Sequence, residues 1–377
     1  MKILYVTTIS NTINSFLIPH IEQLIKKGHK VDIACNIKRK IESNLLLENC
    51  NIYNIEFQRS PLKIQNYKAY RKIKKLIKNN CYDLIHVHTP IASFITRLSC
   101  RNIPNLKIIY TAHGFHFYKG APLINWILYY PIEKWLSRYT DCLITINNED
   151  YNTAINRRFK AKEIKLVHGV GIDLNKFTPQ TSERKDQLRK KYGYKKEDFI
   201  LFYAAELNYN KHQDLLIKVI NILKDKIPNL KLLLAGTGPL KDKYQKMINE
   251  LNLNSYITLL GLRKDVPNLL ALSDIVVASS RREGLPVNIM EAMATGLPVV
   301  ATDIRGHRDL VSDGINGYLV ELDNINNFAE IIENIYKDVE LRNKFGKNGV
   351  ALVKNYSLEN ILREMALIYK EYLINDI

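Results

Sequence analysis

The 377-residue chain is 46% hydrophobic and 25% charged, a globular composition with enough length for two domains. Its net charge of +17 is uneven: residues 1–180 hold 27 Lys+Arg against 12 Asp+Glu, a balance of +15, and the remainder holds 28 against 26, a balance of +2. A basic half argues for an anionic partner, but no helix-turn-helix, zinc finger or aromatic RNA-binding signature points to nucleic acid, and no apolar run approaches the roughly 20 residues that cross a bilayer.

In chain order, short apolar strands alternate with helices. The first half predicts strands at 2–7, 30–35, 51–55, 83–88, 107–112, 142–146 and 164–167, with a helix over 16–27 ending at Gly28. The start, Met1-Lys2-Ile3-Leu4-Tyr5-Val6, runs straight into a strand and reads as carrying no signal peptide. Between residues 59 and 78 lie eight cations and no acid, among them Arg59, Lys63, Arg71, Lys72 and Lys75. Tyr67, Tyr70, Ile73, Leu76 and Ile77 interleave at helical spacing. The result is a basic amphipathic helix, suited to an anionic membrane surface or to plain solvation. His86 and His88 share a strand face, a metal-like spacing with no third ligand in view. His113 follows a strand and opens the loop His-Gly-Phe-His-Phe, which puts it at a carboxyl strand end where open sheets bind ligands; His116 ranks behind it. Five cysteines, with no C-x-x-C, fit a reducing cytoplasmic compartment.

A Gly/Pro/Asn-bearing stretch over 171–180 marks the expected boundary, giving domains 1–175 and 176–357 with a final helix from 358. The second half repeats the strand–helix theme, with strands at 199–204, 231–235, 257–260, 275–278, 299–301 and 317–320. Helices are expected at 213–226, 239–251, 266–271, 286–294 and 326–338. Two such runs predict an α/β protein with two Rossmann-like parallel-sheet domains facing across a cleft. Lys211 follows the first strand of this half, where an ammonium suits a diphosphate. Gly236 and Gly238 lie between a strand and a helix in an incomplete glycine motif. Arg263 follows another strand and is a candidate for a base pocket.

The segment Glu283-Gly-Leu-Pro-Val-Asn-Ile-Met-Glu291 carries the most chemistry. Two carboxylates separated by seven residues border a helix start, with Pro286 at its first position and Gly296 at its end. Asn288 and Glu291 share one helix face. Amides of Gly284, Leu285 and Val287 at a helix N-terminus suit a phosphate. Carboxylates that accept hydroxyl hydrogen bonds beside an anion-binding helix end point to a nucleotide-sugar site.

These residues resemble the family 4 retaining glycosyltransferases of the GT-B fold, of the bacterial capsule, exopolysaccharide and lipid-linked glycan type. The resemblance spans essentially the whole chain. It rests on Asp83-Leu-Ile-His-Val-His, Thr111-Ala-His-Gly-Phe-His-Phe, Gly261-Leu-Arg-Lys-Asp-Val, Glu283–Glu291 and Ala294-Thr-Gly-Leu-Pro-Val-Val-Ala-Thr. It implies that Glu283 contacts the donor sugar, Glu291 the ribose, Gly284 and Leu285 the diphosphate, and Lys211 the β-phosphate, while His113 lines the reaction centre. It also implies that the final helix returns to the first domain. Two departures stand out: the first strand is followed by Thr7-Thr8-Ile9-Ser10-Asn11 where many members have Gly-Gly, and Glu206 stands where many have Arg. Arg263 or Arg305 is then the candidate second cation.

The expected activity is retaining transfer of a hexose or N-acetylhexosamine from a UDP-sugar to a polyprenyl-diphosphate-linked glycan. No cofactor or metal is expected, since no D-x-D triplet is present. The expected setting is the inner face of the cell membrane, by peripheral attachment. A GT-B sugar-nucleotide epimerase, which needs no acceptor, and a non-catalytic partner subunit are the alternatives. An NAD(P)-dependent oxidoreductase is disfavoured, because the first strand lacks the glycine fingerprint.

Overall fold

The computed structural model describes residues 1–58, 60 and 63–373. The chain forms two compact units, Met1–Gly171 joined by the chain from Glu359 onward, and Ile172–Leu358.

The first unit is a seven-stranded sheet of β1 (Lys2–Ile9), β2 (Lys30–Asn36), β3 (Ile52–Asn54), β4 (Leu84–His88), β5 (Lys107–Ala112), β6 (Cys142–Thr145) and β7 (Glu163–Leu166). The order is β3-β2-β1-β4-β5-β6-β7, with every pairing parallel. Strands buried on both faces need no polar alternation, and β4 is buried at every position. Period-two geometry divides β1 between two cores. Leu4 and Val6 join a cluster with Ile73, Ile85 and Phe117, while Ile3 and Tyr5 face the opposite cluster. Helix Leu358–Leu373 supplies Ile361, Met365, Ile368 and Tyr369 to that second cluster, so the end of the chain completes the first unit.

The second unit is a six-stranded parallel sheet of β8 (Phe199–Ala204), β9 (Leu230–Ala235), β10 (Ile257–Gly261), β11 (Ile275–Ala278), β12 (Val299–Thr302) and β13 (Gly317–Val320). Its order is β10-β9-β8-β11-β12-β13. In both sheets the strand order reverses once, between β1 and β4 and between β8 and β11. In such sheets the crevice outside the carboxyl ends at that reversal is where ligands bind.

Several elements depart from expectation. The helix expected over 16–27 is a π-helical turn, Ile13–Leu17, followed by an α-helix, Ile18–Lys26, and the helices Ser182–Tyr192 and Val339–Val353 are additions. The helix after Glu283 starts at Val287, with Pro286 as an extended cap residue (φ −78°, ψ 119°). Leu123–Leu136 is a 14-residue helix with Pro131 inside it, a segment that carries no helical signal in the sequence.

Candidate active site

In the second unit the site forms at the reversal between β8 and β11. The loop after β8 is laced to the segment after β11 by three hydrogen bonds. Arg281 N donates to Asn210 O (2.7 Å), Asn210 Nδ2 to Arg282 O (2.9 Å), and Ser279 Oγ to Lys211 O (2.9 Å). This stitching places Lys211 against Glu283, 72 residues away in sequence. Lys211 Nζ donates to Glu283 Oε1 at 2.6 Å, and Ser280 Oγ donates to the same oxygen at 2.6 Å. Ser280 is held in turn by Tyr203 Oη at 2.8 Å. Burial alone would raise the Glu283 carboxyl; the Lys211 charge and the hydrogen bonds outweigh it and hold the group below the usual range. Burial pulls the Lys211 ammonium down, and Glu283 more than restores it. The pair is therefore ionised.

A second loop grips the Glu283 turn from the other side. Arg305, 4% exposed, donates Nε to Glu283 O at 3.0 Å. Gly306 has φ +81°, and a Cβ there would fall 2.5 Å from Gly284 O, so only glycine fits this approach. Immediately after the turn, helix Val287–Thr295 begins with no side-chain cap. Among the described residues the N–H groups of Gly284 and Leu285 donate to no protein acceptor, which leaves two amides next to the positive end of a helix. Asn288 is turned inward, its Nδ2 donating to Ala204 O (3.1 Å) at the end of β8. Glu291 lies one turn further on. Burial pushes its carboxyl up to about 7, opposed only in part by Lys176. The two glutamates thus carry opposite electrostatics: one locked as a carboxylate, the other poised near neutral pH.

Gly236 and Gly238 serve close packing. A Cβ at Gly236 would lie 1.9 Å from Ala205 O and one at Gly238 2.3 Å from Leu207 O. The Gly236 N–H is already donated to Gly261 O (2.8 Å), and the following helix starts at Lys241. Arg263 makes a two-pronged contact with Asp265 (2.8 and 2.6 Å), and this holds the Asp265 carboxyl down at about 2. Glu206 is exposed. Of the two arginines considered beside Lys211, it is Arg305 that touches the Glu283 turn. Ser280 and Tyr203 were not legible as site residues; the Ser279-Ser280 pair directly after an apolar strand is the signal that marks them.

In the first unit, His113 follows β5 and is bonded through Nε2 to His88 Nδ1 (3.0 Å) at the end of β4. Burial, with the charge of His20, pulls the His113 imidazole down to about 4, so the ring is neutral. His86 lies behind, tied to Tyr369 Oη (2.6 Å) and Thr111 Oγ1 (2.8 Å). Where Gly-Gly was expected, β1 continues to Ile9, and Thr8 bonds Thr89 through N (3.0 Å) and Oγ1 (2.7 Å). A cavity of about 250 Å³ lined by Thr8, Thr12, Thr89, His116 and Tyr129 opens there; His116 stacks on Tyr129 at 4.6 Å. Among the described residues no three His, Cys, Asp or Glu side chains group as a metal site. Of the basic run, Lys63, Arg71, Lys72 and Lys75 are exposed, and Arg59 lies outside the described residues.

Comparison with known proteins identifies the family and the fold. Residues 184–351 match the family Glycosyl transferases group 1, and residues 2–147 match Glycosyl transferase 4-like. The chain is 41% identical over its whole length to EpsD of Bacillus subtilis (strain 168), a glycosyltransferase by name, and covers 98% of it. It is 30% identical over 302 residues, 77% of each chain, to the UDP-Gal:alpha-D-GlcNAc-diphosphoundecaprenol alpha-1,3-galactosyltransferase of Escherichia coli. The fold matches Anabaena HepE, solved with UDP and glucose, with a TM-score of 0.80 at 20% identity over 98% of this chain and all of that one. WaaG, a glycosyltransferase involved in lipopolysaccharide biosynthesis, matches with a TM-score of 0.77 at 15% identity, over 97% and 99% of the two chains. The chain belongs to the family 4 type of group 1 glycosyltransferases and is a glycosyltransferase with two Rossmann-like domains of the GT-B kind.

Proposed function

We propose that the protein transfers a hexose or N-acetylhexosamine from a UDP-sugar, with retention at the anomeric carbon, to a polyprenyl-diphosphate-linked glycan in surface polysaccharide synthesis. One observation carries the reading: the ionised Lys211–Glu283 pair sits beside two unused amides at an uncapped helix start. In this reading Gly284, Leu285 and the helix end hold the donor diphosphate, and Lys211 adds a full positive charge as the leaving group develops its own. Glu283, fixed by Lys211 and Ser280, accepts hydroxyl hydrogen bonds from the donor sugar. Glu291 takes the ribose hydroxyls. The neutral His113 ring orients donor and acceptor. The acceptor hydroxyl attacks on the face that the nucleotide leaves, and the departing phosphate oxygen takes its proton. Arg263, Gly236 and Gly238 then shape the loops around the nucleotide, with Arg263 held by Asp265.

Two named relatives support the substrates. The E. coli protein is named for a UDP-sugar donor and a diphosphoundecaprenol-linked acceptor, and HepE was solved with UDP. Exposed Lys63, Arg71, Lys72 and Lys75, together with exposed Leu123 and Ile127 in the same unit, support work at the inner face of the cell membrane, in contact with anionic lipid.

The test is a turnover screen of nucleotide sugars against polyprenyl-diphosphate-linked sugar acceptors, with the product anomer read by NMR. UDP release that requires acceptor, with the anomeric configuration kept, is the expected result. Formation of an epimeric sugar product from UDP-sugar alone would make the protein an epimerase, and an inverted product would reject the proposed attack geometry.

A further inference from the structure

The first unit holds a second, larger cavity, about 620 Å³, framed by helices Gln65–Asn80, Pro90–Cys100 and Leu123–Leu136. That volume lies within the range of small-molecule sites. Its walls are apolar: Phe94 and Leu98 from one helix, Leu128 and Ile132 from another, Tyr70 from the third. Leu128 and Ile132 are 51% and 41% exposed, and Tyr67 at the rim is 63% exposed, so this surface is uncovered. Uncovered apolar surface of this kind marks a binding site. The acidic residue in the lining, Glu133, is bound to Arg97 at 2.6 Å, and Arg97 stacks over Tyr110 at 4.2 Å. The floor therefore offers no unpaired charge to an apolar occupant.

The groove adjoins the polar cavity at the carboxyl ends of β1 and β4. Pro90, Ile91 and Tyr129 line both spaces. One end is built of threonines and His116, the other of aliphatic and aromatic side chains. Between them lies the first turn of the 11-residue helix Pro90–Cys100, whose cap residue, Thr89, makes no capping hydrogen bond. Lys63 lines the apolar part and adds a positive charge. A ligand that satisfies the whole channel has a polar head, an anionic joint and a hydrocarbon tail.

We propose that this groove is a binding site for the isoprenoid tail of the acceptor lipid, with the diphosphate at the rim shared by the two cavities and the acceptor sugar in the polar one. The proposal rests on the lipid-linked acceptor reading and adds a site: the tail is held by the protein itself, not only by the bilayer.

The experiment is calorimetric titration of the full chain, without detergent or vesicles, with farnesyl diphosphate and dimethylallyl diphosphate, which share a head and differ by ten carbons of tail. The groove predicts binding of the longer probe tighter by about ten-fold or more, since each buried methylene adds to affinity. Leu128→Glu with Ile132→Glu changes only half-exposed positions and should reduce the preference to within about two-fold. Leu98→Trp, which fills the groove instead of charging it, should do the same. Equal binding of the two probes by the parent protein would overturn the proposal. So would a preference that survives both variants, or variants that lose vesicle binding alone, which would mark a bilayer-docking face only. Sugar transfer to polyprenyl-linked acceptors with the two probes bound alike would remove the groove and leave the acceptor reading standing. Tight tail binding without such transfer would keep the groove and remove that reading.

Discussion

At the residue scale, the two glutamates that resemble one another in sequence are separated by their surroundings. Glu283 is bonded to Lys211 and Ser280, whereas burial dominates at Glu291. Glu283→Ala removes the proposed sugar contact and leaves Lys211 without its counter-charge. Turnover should fall at least about a hundred-fold. Stability should drop by about 2 kcal/mol, less than the roughly 3–5 kcal/mol for breaking a fully buried pair, because Lys211 is partly exposed. The freed ammonium turns to the diphosphate, so UDP should bind within about three-fold of the parent protein, or more tightly; titration calorimetry and denaturant melts read the two effects. A UDP affinity that falls in step with turnover would assign Glu283 to the nucleotide instead. For Glu291 the prediction is a pH profile. Its carboxyl titrates near 7, and the ionised form is the better acceptor for ribose hydroxyls. Affinity for a UDP-sugar, whose diphosphate stays ionised throughout, should weaken as pH falls from 8 to 6, and Glu291→Gln should bind weakly with no such slope. The same group bears on stability. With its folded pKa above its ordinary value of 4.5, the native state holds the extra proton, and stability is lost as pH rises from about 4.5 toward 7. Glu291→Gln should flatten that fall in a series of melts.

At the scale of elements, the site depends on loops that fit only around glycine. Gly306 and Gly314 make a matched pair. Both have positive φ, +81° and +71°, but a Cβ at 306 meets Gly284 O at 2.5 Å while one at 314 meets nothing within 4 Å. Gly314→Ala should cost about 1 kcal/mol of backbone strain and leave kcat/KM within about three-fold. Gly306→Ala carries the strain and a clash against the Glu283 turn, and should lower kcat/KM by about a hundred-fold. Equal effects from the two would mean that the 302–307 loop does not position Glu283. The same contrast explains what was legible in the sequence. Strands such as β8 and β11 are unbroken apolar runs and stand out without any partner. The E-x7-E segment announces a helix because the residues that bound it, Pro286 before and Gly296 after, act locally. The Lys211–Glu283 and His88–His113 contacts are not local; each exists because β8 lies beside β11, or β4 beside β5, and a single sequence does not show that adjacency. Helix Leu123–Leu136 was hidden for another reason. Its exposed face is itself apolar and Pro131 interrupts it, so neither a polar stripe nor a clean helical run marks it. The surface that hid the helix is the one that frames the apolar groove.

At the scale of the whole molecule, the +17 charge is concentrated in the sequence that builds the first unit, and the same unit exposes Leu123, Ile124, Ile127 and Leu128 on one helix. Among the described residues no helix is long and apolar enough to cross a membrane. In the proposed peripheral attachment, Leu123 and Ile127, 79% and 66% exposed, would enter the interfacial region of a bilayer. Lys72 is 4.0 Å from Glu56 in a half-exposed pair too weak to withdraw it from an anionic surface. Vesicle flotation separates the two contributions. The protein should float with vesicles containing anionic lipid at low salt and be released as salt screens the attraction. Arg71→Ala, Lys72→Ala and Lys75→Ala together should weaken that partition by about a hundred-fold, at about 1 kcal/mol for each cation. Leu123→Ser with Ile127→Ser should weaken binding by an amount that salt does not change, because burial of apolar surface is not screened. Both sets leave the Lys211–Glu283 site untouched, so turnover of a water-soluble acceptor should persist while transfer at the vesicle surface falls with the bound fraction. No flotation of the parent protein at low salt would overturn the membrane assignment, and the basic helix would then be a solvated surface alone.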